Sequence, residues 1–338
     1  MRLYCGIDLH SNNSVVSVID DEDRIHYEKR LPNDLAVIEA ALLPYREALV
    51  GVVVESTYNW YWLVDGLQAS GFDVRLANTV AMKQYSGLKY TNDQTDARFL
   101  GQLLRLDILP EGYIYPKAER GVRDLLRRRL LLVRQRTAQH MSLQSLFARH
   151  TGERMKAADV KALEDSQFEQ IFSDSAVRLM ARTAVAVMAS LSHHIEEIER
   201  YVSGRCRDMA QYRLLTSVPG IGVILGQTIA LETGAIERFP GVGNYASYAR
   251  CVKTEKLSNT KLKGRGNRKN GNRYLAMALM EAAHYAAIWN PTMKRFYQRK
   301  RAKSPVMVAK KALANKIARA VYHMLKHQQP FDIARAFG

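Results

Sequence analysis

Two short apolar runs each close on a single carboxylate: Leu3 to Asp8 reads LYCGID and Val50 to Glu55 reads VGVVVE. Their length and their β-branched character predict buried strands. A carboxylate that ends a buried strand needs a partner, because an unpaired charge is costly to desolvate. Further on, TNDQTDARFL (Thr91 to Leu100) sets Asp93 and Asp96 three residues apart at the head of an apolar-periodic segment, Ala97, Phe99, Leu100, Leu103 and Leu104. On a helix, positions i and i+3 share a face, so the two acids point the same way. Brought to one point, Asp8, Glu55, Asp93 and Asp96 would offer the hard oxygen donors that hold one or two divalent ions such as Mg2+, and such ions serve phosphoryl chemistry. Three of the acids alone have a plainer reading, Asp93 as a helix cap, Asp96 as a charge favouring the helix dipole and Asp8 as a turn former, whereas Glu55, following the four residues GVVV, is harder to dismiss. The four together, in the order strand end, strand end, helix, point to a site. His10 reads as a solvated histidine with no assigned role.

Strands are expected at 2–8, 13–20 and 25–31, joined by Ser11-Asn12-Asn13 and by the acidic turn Asp20 to Asp23. A helix from Pro32-Asn33 to Glu47, a strand at 51–55, a helix at 58–69 and a strand at 72–77 lead into the acidic helix. The order βββαβαβα is that of the RNase-H-like fold, whose first and fourth strands lie side by side and parallel. Asp8 and Glu55 would then sit at one carboxyl edge of the sheet, about 5 Å apart by strand spacing, where open α/β sheets place their sites.

Charge separates the chain into two regions. Residues 1–110 hold 10 Lys and Arg against 15 Asp and Glu, and the remainder holds 40 against 18. A mildly acidic region joined to a strongly basic one points to a polyanion partner, since Lys and Arg displace the counterions condensed on phosphates. A membrane surface is the poorer fit, because no run approaches the length of an apolar span and no signal peptide opens the chain. Cys5, Cys206 and Cys251 are scattered and odd in number, which fits reduced thiols in a cytoplasm and neither a disulfide framework nor a zinc site.

From Glu119 to His150 runs a helix with Arg120, Arg123, Arg127, Arg128, Arg129 and Arg134 in its first part, and Ser173 to Cys206 forms a second with Val177, Met180, Ala184, Val187, Leu191, Ile195 and Ile198 at helical spacing. The pair reads as an antiparallel, coiled-coil-like arm suited to oligomerisation, with arginines that are either a solvated face or a track for phosphates. Pro219-Gly220-Ile221-Gly222 is a tight turn between two helical patterns, a helix-hairpin-helix arrangement in which Gly220 and Gly222 would let backbone N–H groups approach a phosphate; a plain turn is the alternative. Residues 253–273, KTEKLSNTKLKGRGNRKNGNR, read by composition as a mobile basic loop carrying Lys261, Lys263, Arg265, Arg268, Lys269 and Arg273, with Ser258 in its middle. Helices at 274–288 and 306–326 follow. The resulting plan is α/β plus α: a catalytic domain at 1–112, a long-helix arm at 113–210 and a mainly helical C-terminal domain at 211–338.

GIDLH, VVVEST, NDQTDAR, LLTSVPGIG, the SNTKLKG…KNGNRYL segment and ARAVYHMLKHQQPFD together resemble the insertion-sequence one-ten family of transposases, in its one-eleven-eleven branch. The resemblance runs in order along nearly the whole chain. It implies a RuvC-like domain with an acidic tetrad at Asp8, Glu55, Asp93 and Asp96, and a nucleophilic serine at Ser258. It further implies a DNA recombinase guided by a structured non-coding bridge RNA, acting on donor and target DNA as a dimer or tetramer, cytoplasmic and nucleoid-associated in a prokaryote. Two other functions stay open: a RuvC-type junction resolvase or metal nuclease in which water attacks, and a non-catalytic nucleic-acid-binding protein.

Overall fold

The two acid-ended runs are neighbouring strands. In the computed structural model, β1 (Leu3–Leu9) and β4 (Leu49–Glu55) pair in parallel, with Cys5 opposite Val52 and Ile7 opposite Val54. β2 (Asn13–Ile19) and β3 (Ile25–Pro32) extend the sheet on one side as an antiparallel meander. On the other side lie β5 (Val74–Ala77), parallel to β4, and the short β6 (Glu111–Gly112), antiparallel to β5. The order is β3-β2-β1-β4-β5-β6. The structure describes residues 1–82, 92–153, 159, 165–252, 255–259, 261–265 and 270–338, and the chain divides into two units, Met1–Lys117 and Ala118–Gly338.

Strand alternation sends successive side chains to opposite faces of this sheet. Cys5, Ile7, Val52 and Val54 pack in one layer with Ile38 and Leu42 of α1 (Leu35–Leu42) and Leu63, Val64 and Leu67 of α2 (Tyr61–Ala69). The first helix is shorter than expected: Asp34 rather than Asn33 caps it, and the chain tightens into a 3-10 turn at Leu43–Tyr45 around Pro44, which has no N–H to continue the ladder. After a single turn of helix, α3 (Thr79–Met82), comes α4 (Asp93–Arg105), whose Leu100 and Leu104 meet Tyr4 and Val53 on the opposite face. That helix lies almost on the backbone of β1. A Cβ on Gly6 would overlap the carbonyl oxygen of Ala97 and stand 2.8 Å from the Gly101 nitrogen, so only glycine permits the approach.

The second unit begins with a long helix pair, α5 (Lys117–Thr151) and α7 (Ser175–Cys206), with α6 (Asp165–Ile171) between them in sequence. Arg129 donates to Glu199 at 2.7 Å and Arg136 to Ser192 at 3.0 Å, so the two helices run antiparallel. Leu143 and Phe147 pack with Val177, Ala181 and Met188 at one end, and Val122 and Leu126 with Val202 and Cys206 at the other. A helical body follows: α8 (Ala210–Leu215), α9 (Val223–Thr233), α10 (Val242–Tyr248), α11 (Arg273–Trp289), α12 (Pro291–Arg301), α13 (Val306–His327) and α14 (Ile333–Phe337). Leu215, Ile229, Tyr245, Leu279, Leu313, Ile317 and Val321 are among its core residues. All three cysteines are buried and free, and no described helix is long and apolar enough to cross a membrane.

Two expectations change here. Part of the basic loop is ordered: β7 (Glu255–Ser258) and β8 (Lys261–Arg265) form an antiparallel hairpin with Ser258 paired to Lys261 and Asn259 in the left-handed region at φ 52°. Asparagine tolerates that conformation, which two-residue hairpin turns require. The arginines of α5 are also not uniformly solvated. Arg120 and Arg123 are buried, and Arg127 makes two 2.7 Å bonds to the buried Glu232 while stacking 4.6 Å over the Tyr274 ring. Glu232 also accepts from the Asn272 side chain at 2.6 Å, and Asn272 caps α11 directly after the hairpin region.

Removing one member of a buried ion pair leaves the other charged and unpaired. Arg127→Met should therefore destabilise the protein by about 3–5 kcal/mol, and Arg127→Met/Glu232→Leu should recover part of that loss, both read by chemical denaturation.

Candidate active site

Parallel register and alternation together bring the first two acids together. Asp8 and Glu55 each follow the last facing pair, Ile7 and Val54, and both share the face covered by α4. Asp8 is 5% exposed, and its carboxyl shares a hydrogen bond with that of Glu55. A hydrogen bond between two carboxyls needs a proton on one of them. Burial first, then the Asp8 hydrogen bond and the charges of Asp8 and Asp96, push Glu55 up to about 7.

The other two acids come from the first turn of α4, and neither is used as its cap. Asn92 fills that position: its side chain accepts from Thr95 N at 2.8 Å while Thr95 Oγ1 accepts from Asn92 N at 2.8 Å, a reciprocal capping box. Asp93 and Asp96 are thereby left to face the sheet edge. Asp96 is raised by desolvation and by the charges of Asp8 and Asp93, whereas the Arg30 guanidinium bonded to Asp93 holds that carboxyl low. Two further arginine pairs pin α4 across the meander: Arg98 to Glu28 at 2.9 Å and Arg105 to Asp23 at 2.8 Å.

His10, expected to be an idle histidine, joins the cluster. Its Nε2 stands 3.1 Å from Asp8 Oδ2 and 3.5 Å from Asp93 Oδ2. Those contacts are close, yet the nitrogen is buried and makes no hydrogen bond of proper geometry among the described residues. Asp8, His10 and Asp93 each offer a ligand atom within 4.8 Å of the others. An orphaned imidazole nitrogen, two carboxyls raised by crowding and a set of hard oxygens suit a divalent cation such as Mg2+ or Mn2+. Here Asp8, His10 and Asp93 are the residues whose ligand atoms lie close enough together to hold it.

Arg30 was also not expected here, though strand register signals it. Asp8 faces Val15 on β2 and Val15 faces Arg30 on β3, which puts Arg30 in the same row as Asp8. Histidine at position 10 carried a weaker signal, two residues beyond Asp8 and hence on its side of an extended chain.

The remaining expected residues lie in the second unit. Ser258 ends β7; Lys261 and Lys263 are exposed on β8, which Arg265 ends; Arg268 and Lys269 fall outside the described residues. Arg273 is exposed at the start of α11, stacked 4.8 Å from the Tyr274 ring. Gly220 has φ 92° and packs on α11, where a Cβ would lie 2.5 Å from Ala282 O and from Ala286 N. Helix packing therefore explains this glycine. Gly222, at the start of α9, has no atom of the described residues within 4 Å of its would-be Cβ apart from its chain neighbours.

A mixed sheet of this order, with helices on both faces and acids at one edge, fits the RNase-H-like arrangement of a DEDD transposase domain. Residues 5–151 match a family model for the DEDD transposase of IS110 elements, and residues 212–298 match one described as Transposase IS116/IS110/IS902 family. The matches lie in order and cover more than half of the chain, which belongs to the IS110 family of transposases. A 90-residue stretch is 33% identical to the Insertion element IS110 uncharacterized 43.6 kDa protein of Streptomyces coelicolor, covering 27% of this chain and 22% of that protein. The chain thus spans about a fifth of the length of that relative.

The acid crowding has a pH signature. Glu55 binds its proton more tightly folded than unfolded, so metal-free stability should be level below the ordinary glutamate value of 4.5 and fall as pH rises towards about 7. Thermal unfolding across that window should show the fall in the parent protein and a flatter profile in Glu55→Gln. Added Mg2+ or Mn2+ should stabilise the parent more above pH 7 than at pH 5.

Proposed function

We propose that this chain is the DNA transposase of an insertion sequence, cutting and rejoining strands at the edge of its sheet. The observation that carries the reading is the meeting of Asp8, Glu55, Asp93 and Asp96 on the single face covered by α4. One or two Mg2+ ions held there would polarise a scissile phosphate and offset charge developing on the leaving oxygen. The protein's own contribution is to hold four carboxylates in fixed positions before substrate arrives. Glu55 and Asp96 are the acids that such charge neutralisation favours most, because both are raised by their neighbours.

Ser258 is the proposed nucleophile. Its hydroxyl oxygen would bond to phosphorus and give up its proton, while the bond from phosphorus to a sugar oxygen breaks and that oxygen takes up a proton. The resulting phosphoserine conserves the phosphodiester energy, and a second strand's hydroxyl would reverse the step. Placement at the end of a hairpin strand gives this serine a defined backbone position. Lys261, Lys263, Arg265, Arg268, Lys269 and Arg273 surround it in sequence and would bind strand phosphates. The turn between α8 and α9 would serve as a helix-hairpin-helix contact through the open Gly222 rather than through Gly220.

Acids and serine lie on different units, and a requirement for both would withhold cutting until the substrates are assembled. Exposed Met141, Leu179, Met180 and Val187 on the long helix pair offer an apolar surface for a second copy, as a dimer or tetramer. Sequence choice would fall to base pairing with a bridge RNA, whose shape and backbone the basic unit would grip.

Replacing Asp8 or Asp96 with Asn should remove several kcal/mol of charge stabilisation, about 10²-fold or more in strand cleavage, while nucleic-acid binding is kept. Ser258→Ala should abolish the covalent protein–DNA adduct seen on denaturing gels. Cleavage that persists with no adduct in either protein would instead make water the nucleophile, as in a junction resolvase. Sequencing the RNA that co-purifies should return one discrete structured species.

A further inference from the structure

The C-terminal stretch from α13 onward contains cations that neither the acid cluster nor the serine hairpin uses. Helix α13 ends at Gln328, whose left-handed φ of 53° turns the chain back through Pro330 and Phe331 into α14. The tail is held by Phe337 against Phe296, with ring centroids 5.5 Å apart, and by Lys316 Nζ donating to Ala336 O at 3.0 Å. Between α13 and this returning tail lies a cavity of about 470 Å3. Lys316, Arg319 and His323 line it from α13, Arg335 from α14, with Pro330 and Phe331 alongside. Positions 316, 319 and 323 follow the i, i+3, i+7 spacing of one helix face, so they converge rather than diverge.

Among the described residues these cations lack an acid partner, whereas Arg127 and Arg129 of the same unit each pair with a carboxylate. In the cavity, Lys316 donates to the neutral Ala336 carbonyl and lies over the Phe296 and Phe337 rings, and Arg335 donates to the Gln329 side chain at 3.3 Å; among the described residues neither has a carboxylate partner. Arg319 is exposed and makes no hydrogen bond or ion pair among the described residues. The one acid lining the cavity, Asp332, already caps α14 by accepting from Ala334 N at 2.8 Å and Arg335 N at 3.2 Å. Three permanent cations against one engaged carboxylate make a concave site with an unmet demand for negative charge. His323 responds to the same field: burial first, then His327, Arg319 and Arg335, hold its imidazole below the usual range.

We propose that this cavity is a phosphate subsite for a single-stranded segment of nucleic acid, one backbone phosphate lying among Lys316, Arg319 and Arg335 and its base against Phe331. A single strand is favoured over a duplex because an unpaired base can turn into a concave site and stack on an aromatic ring, whereas a duplex keeps its bases inside. The subsite rests on nucleic acid being the partner, but it is separate from the cleavage chemistry.

The test is equilibrium binding of a fluorescent single-stranded DNA oligonucleotide to the full chain in EDTA, over a range of salt, for the parent, Arg319→Gln and Arg319→Lys. Loss of one phosphate contact should lower the slope of log K against log salt by about 0.7 in Arg319→Gln, and the lysine variant should restore it. The His323 imidazole should titrate higher when the oligonucleotide is bound. Unchanged affinity and slope in Arg319→Gln would overturn the proposal. So would Arg319-dependent binding of inorganic phosphate or a mononucleotide with strand binding unaltered, which would mark a small-anion pocket. Because metal is absent throughout and Asp8 and Ser258 are intact, failure here leaves the transposase reading standing, and loss of cleavage in Asp96→Asn leaves this one standing.

Discussion

The parallel ladder between β1 and β4 is the constraint on which the site depends. Two antiparallel neighbours would carry their carboxyl ends to opposite edges of the sheet; parallel ones carry them to the same edge. With Ile7 facing Val54, Asp8 and Glu55 become adjacent without either chain bending. Strand alternation then decides which layer they meet, and both fall on the α4 face, away from the layer built with α1 and α2. A slip of one residue in either strand would turn its acid into the opposite core.

Electrostatically the acid cluster and the Arg127–Glu232 pair are opposites. Glu232 is buried but bonded twice to a guanidinium and once to an amide, so its charge is satisfied within the fold. At the sheet edge, Glu55 is pushed up to about 7, Asp96 is raised by desolvation and by two neighbouring acids, and a histidine nitrogen has no hydrogen bond among the described residues. Arg30 offsets only Asp93. Such unrelieved crowding does nothing for stability, which is the pattern expected where residues are arranged for a bound charge rather than for the fold.

Much of the first unit was legible because its signals are local and periodic. Each strand announces itself by a short apolar run, and the two acids of α4 by their spacing. The reading failed where several weak signals had to be combined. The hairpin around Ser258 alternates leucine with lysine, and dense charge over residues 253–273 masks that alternation, so the composition alone resembles a loop. Arginines on α5 look alike in sequence, and only the tertiary partner Glu232 singles out Arg127. Gly220 and Gly222 are two residues apart in one motif, yet the first is claimed by α11 and the second is open, a distinction visible only in three dimensions. Arg30 required the register of three strands at once.

Gly6 has a consequence for how the site tolerates change. Because α4 meets β1 through the Ala97 carbonyl and the Gly101 nitrogen, the gap between sheet and helix is set by main-chain atoms rather than by side chains that can trade places. Core residues elsewhere can be exchanged and repacked with small adjustments. Here there is no side chain to exchange, so Asp93 and Asp96 inherit their clearance above Asp8 from the stiffest material the protein has.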